Sequence, residues 1–69
     1  MIHVSRLDGK AFVINCELIE FIEETPDTVL TMVNGEKFVI LEAANEVVSR
    51  VIEYRHLAYG DIAWRQHSA

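Results

Sequence analysis

The segment EETPDTVLTMVNGEKFVILE, Glu23–Glu42, decides how this chain is read. It carries two turn signals, almost no groups suited to catalysis and a high density of aliphatic side chains. Within TPDT, Pro26 pre-sets φ and Asp27 is able to bond its own backbone, so Thr25–Thr28 should reverse the chain. TVLTMV departs from that reversal, meets Asn34–Gly35, and EKFVILE returns, which predicts a hairpin. A sheet with one wet face alternates apolar with polar residues, yet Phe38 and Ile40 fall on one side here and Val39 and Leu41 on the other. Both faces of the sheet therefore need cover.

Upstream, IHVSRL runs into Asp8–Gly9 and then AFVIN, two short strands joined by a tight turn whose positive φ angles, of type I′, suit Asp-Gly. LIEFIEE leads from there into TPDT. Five strands and three turns then form an antiparallel meander in which every neighbouring pair is joined. Beyond Glu42 the period changes. NEVVSRVIEYRHLAYG sets Val47, Val48, Val51, Ile52, Tyr54 and Ala58 on one broad helical stripe. Asn45 caps this helix, or it begins near Ala43 with Glu46 favourable to the dipole, and Gly60 serves as its C-cap. The fold class is α+β: a small antiparallel β-meander of about five strands followed by one C-terminal amphipathic helix, oligomeric. It forms one domain over residues 1–60. Residues 61–69, DIAWRQHSA, lack a sustained period and read as a tail, a candidate for disorder. Trp64 in that tail either lies over apolar surface of its own domain or a neighbouring copy, or anchors a partner.

A chain of 69 residues is one domain, and a domain that small buries only roughly 60% of the surface its unfolded chain exposes. Such chains are commonly stapled by disulfides, a metal or oligomerisation. Cys16 is the single cysteine, and His3, His56 and His67 are too scattered for zinc-ligand spacing, which leaves oligomerisation. Cover for the second sheet face comes first from self-association, then from curling of the sheet, then from another protein. The net charge of -5, from eleven acidic and six basic residues, opposes a phosphate-backbone footprint, and the cations stand singly along the chain. The N-terminus has no long apolar run of a secretory signal, and the uncharged stretch of about 18 residues that a membrane span needs is missing, so the protein is expected in the cytoplasm.

A search for chemistry returns plain readings. Glu17, Glu20, Glu23 and Glu24 lack an accompanying base or cation site and read as a solvated strand face. Cys16 reads as a small buried hydrophobe, and His3 as a strand-face residue. DGK and NGEK are hairpin turns without the glycine spacing of a phosphate cradle. No catalytic residue, cofactor or metal is assigned, and the chain is not expected to be an enzyme.

SRLDGKAFVINCELIEFIEETPDTVLTMVNGEKFVILE, Ser5–Glu42, resembles the FlbD family of small flagellar proteins, also called SwrD or swarming motility protein. The residues that carry the resemblance are SRLDG, LIE and TPDT in that order and spacing, with the later Asn-Gly turn. Two positions depart from the family pattern. Ala43 stands where a Ser often opens a Ser-x-x-Glu capping box, leaving only Glu46, and Asp8 replaces the usual Asn of the first turn. The resemblance implies a cytoplasmic, non-enzymatic factor for flagellum-driven motility, with relatives associated with swarming and with the power of the motor's stator units. It implies stator or switch proteins as partners, while copies of itself are expected from the chain's size and its two-sided apolar strands. Arg6, Leu18, Glu20, Thr25, Pro26, Asp27 and Thr28, with Trp64, are then candidate interaction residues, although the same strand and turn positions also suffice to fix turns and register. Two other readings stay open: a LytTR-like nucleic-acid-binding regulator, which the charge opposes, and a flagellar assembly chaperone.

Overall fold

The computed structural model describes the backbone of residues 1–68 and the side chains of residues 1–59. Strands β1 (Ile2–Ser5) and β2 (Ala11–Ile14) form one antiparallel hairpin, and a 3-10 turn, Cys16–Leu18, leads out of it. Strands β3 (Ile19–Glu24), β4 (Thr28–Met32) and β5 (Lys37–Ile40) form a second antiparallel sheet in the order β3-β4-β5, and helix α1 (Ala44–Ser68) follows. Among the described residues no helix is long and apolar enough to cross a membrane.

The expected α+β class and strand count hold, but the continuous meander does not. β2 and β3 are not paired, because the chain turns between them: the Asn15 side chain accepts the Glu17 N–H at 3.1 Å and Cys16 is buried in the core. The two sheets meet instead at β1 and β5. Arg6 stands opposite Ile40 in an isolated bridge, and Leu41 N–H donates to the Ser5 carbonyl at 2.9 Å. Taken through that bridge, the strands succeed one another as β2, β1, β5, β4, β3.

Both glycine hairpins use one device, and it is not type I′. Positive φ falls on Gly9 (88°) and Gly35 (92°), and no non-glycine residue among those described has it. Gly9 N–H donates to the Arg6 carbonyl and Arg6 N–H to Lys10, and the same pair recurs between Gly35, Met32 and Glu36. These are three-residue loops with the glycine in a left-handed bulge. Asp8 and Asn34 stay at negative φ and use their side chains, each accepting the N–H two residues on at 3.0 Å. At the third turn the Thr25–Pro26 bond is cis, and Thr25 N–H bonds the Asp27 carbonyl at 3.0 Å.

The inward residues of each strand converge on one core: Ile2, Val4, Ile14 and Cys16 from the first hairpin, Leu30, Met32 and Ile40 from the second sheet, and Val47 from α1. Each fully buried aliphatic contributes about 1.5–3 kcal/mol relative to exposure. Phe12 and Phe38 pack beside this core with ring centroids 5.7 Å apart.

The broad stripe expected on α1 divides. Val47 is buried and Val51 and Tyr54 pack half-buried on the core, whereas Val48 and Ile52, a turn apart, are exposed, as is Ala58. Helix α1 packs against β1 and β3, and only the ridge with Val47, Val51 and Tyr54 meets the core there. Nor does Gly60 end the helix, which continues to Ser68. At its start, Glu46 bonds back to Ala43 N–H at 3.1 Å, the surviving half of a capping box, and Glu24 of β3 takes the Ala44 N–H at 2.7 Å. Asn45, exposed within the first turn, is therefore not the cap.

Candidate functional site

The residues singled out in the sequence occupy different places. Arg6 lays its guanidinium carbon 4.5 Å from the centre of the Phe12 ring, closing that side of the core as a cation over an aromatic face. Leu18 is exposed, and its carbonyl accepts the Val33 N–H at 2.9 Å. Glu20 is exposed at the register shift between Ile19 and Phe21. Thr25, Pro26 and Asp27 are exposed at the opposite end of β3. Thr28 is buried, so its side chain supports the turn from within and presents nothing outward. Trp64 lies outside the described side chains. Arg6 and the TPDT turn thus share one end of the second sheet through the row Arg6–Ile40–Thr28, while Leu18 and Glu20 sit near the other, about 20 Å along a six-residue strand.

What joins these ends is the outer face of the second sheet. The register sets Glu23, Val29 and Val39 in one row across β3, β4 and β5, and Phe21, Thr31 and Lys37 in the next. Thr28 pairs with Ile40, and the residues flanking that pair, Asp27 and Leu41, are both exposed. Leu7, Phe21, Val33 and Leu41 are each more than half exposed, at 54%, 54%, 57% and 56%, and Val39 is 40% exposed. Contiguous exposure of this kind on a small domain marks a contact surface. The expected two-sided apolar strands are therefore real: Phe38 and Ile40 point inward, Val39 and Leu41 outward. Beneath this face the Thr31 hydroxyl is buried without a hydrogen-bond partner among the described residues.

Sequence reasoning missed Glu42 and Arg50. Ladder alternation turns the Ser5 N–H and His3 carbonyl of β1 away from β2. Glu42 accepts the Ser5 N–H at 2.8 Å, and Arg50 donates to the His3 carbonyl at 2.8 Å and to Glu42 at 3.1 Å. Burial alone would lift the Glu42 carboxyl, but hydrogen bonds from Ser5, from its own backbone and from Arg50 outweigh it and hold the acid below its ordinary range. Arg50 also approaches Glu46 at 3.9 Å. The pair borders an open cleft of about 510 Å³ between β1 and α1, lined by Met1, His3, Glu53 and Leu57 among others. Its charges are already engaged in holding the edge of β1. A second tie runs from Glu17 to Arg55 at 3.6 Å and to the Tyr59 hydroxyl at 3.4 Å, and the Glu17 charge raises the Tyr59 phenol above its ordinary range.

Among the described residues no group of three or more His, Cys, Asp or Glu is placed to hold a metal ion. Comparison with curated proteins and with solved structures finds no match. A family model does match, over residues 1–59 of the 69. The same SRLDG, LIE and TPDT segments that build the two hairpins and their turns lie inside that match, and the chain belongs to the FlbD family, the flagellar and swarming motility proteins.

Proposed function

We propose that the protein is a non-enzymatic module of flagellum-driven motility, working in the cytoplasm by contact with a stator or switch component of the motor. Membership of a flagellar and swarming motility family sets the process, and one observation carries the mode of action. The outer face of the second sheet keeps Phe21, Val39 and Leu41 exposed although the core is closed without them. Leu41→Glu tests it, since the side chain is outside the core. In the motile host the variant should fold with unchanged circular dichroism, yet reduce swarming as strongly as deletion does. Full swarming would overturn docking through this face. Asp27→Ala, at the exposed turn, should give a milder loss of the same kind.

Self-association is a second reading, favoured by a separate observation: Val48 and Ile52 form an exposed apolar pair on α1, away from the sheet's outer face. A nucleic-acid role gains little from the placement of the cations. Arg6 lies on Phe12, Arg50 on Glu42 and Arg55 on Glu17, which leaves no basic stripe among the described residues.

A further inference from the structure

The outer sheet face has an electrostatic margin as well as an apolar middle. Glu23 ends the row that holds Val29 and Val39, and exposed Asp27 precedes Thr28, whose partner Ile40 precedes Leu41. Neither carboxylate forms an ion pair among the described residues, and Lys37 is the single cation in the rows themselves. The whole chain has a net charge of -5.

This pattern discriminates among occupants. A second copy laid on the face would bring two acidic margins together, and like charges at contact cost free energy that an apolar patch of a few hundred Å² has to offset. Anionic lipid headgroups and nucleic-acid phosphates meet the same repulsion. A segment that is apolar along one side and carries Lys or Arg along its flanks meets none of it. Its apolar residues cover Phe21, Val39 and Leu41 while its cations reach Glu23 and Asp27, which also speeds encounter.

We propose that the outer face of the β3-β4-β5 sheet receives a cationic amphipathic segment of a partner protein. This rests on the reading that the protein acts by docking, and adds the chemistry of what docks.

The full chain, labelled with ¹⁵N, is titrated with a synthetic amphipathic peptide of Leu and Lys only, and with a twin in which every Lys is Glu. The Lys peptide should shift amide signals of Phe21, Val29, Val39 and Leu41. It should bind Leu41→Lys about tenfold more weakly, and weaken as salt rises from about 0.1 to about 1 M, where the screening length falls from about 10 to about 3 Å. Equal binding of the Glu twin, shifts centred on another surface, preference for anionic lipid vesicles, or concentration-dependent shifts at these residues without peptide would each overturn it. A photo-crosslinking side chain at position 39 in the motile host separates the two levels. A captured contact segment that is neutral or acidic overturns the cationic partner and leaves docking standing; unimpaired swarming of Leu41→Glu overturns docking itself.

Discussion

Glu42 shows how one side chain joins three elements. Its carboxylate ends β1 by accepting the Ser5 N–H and meets Arg50 of α1, and its side chain is only 10% exposed. Because the folded-state pKa is lowered, its contribution is fully present above the unfolded value, about 4.3, and is lost as pH falls through the lower folded value. Glu42→Gln keeps the shape and removes the charge. It should be less stable than the parent by about 1 kcal/mol at neutral pH, the difference between a charged and a neutral hydrogen-bond acceptor. In urea melts that gap should close as pH falls below the unfolded value and through the lower folded one. A gap that is constant with pH would show that the charge is not what holds the edge.

At the scale of elements, α1 begins with an incomplete local signal. Ala43 has no side-chain oxygen for the first-turn donors, so the cap is made up from elsewhere: Glu46 bonds back to Ala43 N–H and Glu24 reaches across from β3 to Ala44 N–H. Ala43→Ser would restore the full box and should add about 0.5–1 kcal/mol of stability, read as a higher denaturation midpoint with unchanged slope. No gain would mean that Glu24 already satisfies the start of the helix. The hairpins show the opposite balance. Gly9 and Gly35 carry the positive φ, and Asp8 and Asn34 the side-chain bonds, within a few residues of each other. The turns were therefore legible in the sequence even though their type was not: Asp-Gly and Asn-Gly serve both hairpin geometries, and strand register chooses between them.

At the scale of the molecule, the first hairpin and α1 close one apolar side of the second sheet and leave the other outward, so cover of the inner face did not require a second copy. Self-association is proposed to use Val48 and Ile52. If they pair two chains, the parent protein should sediment heavier than a monomer and Val48→Glu with Ile52→Glu should sediment as one. A parent that stays monomeric over the accessible concentration range would remove that reading. The candidate interaction residues show the same limit of sequence reading. Thr25, Pro26 and Asp27 were found from turn chemistry and are exposed, but Thr28, in the same motif, faces the core. Only strand alternation fixed by pairing separates them.

The sequence by itself determined the strands, their turns, the helix and the two-sided apolar character of Phe38–Leu41, because these depend on residues near one another along the chain. Tertiary structure decided that β2 and β3 part, that β1 meets β5, that one helical ridge is buried and its neighbour is not, and that Glu24 and Glu42 cap and pin elements 20 and 37 positions away. The physical reason is reach. A turn signal acts within a few bonds, whereas burial and hydrogen-bond partnership are settled only when distant segments compete for the same small interior.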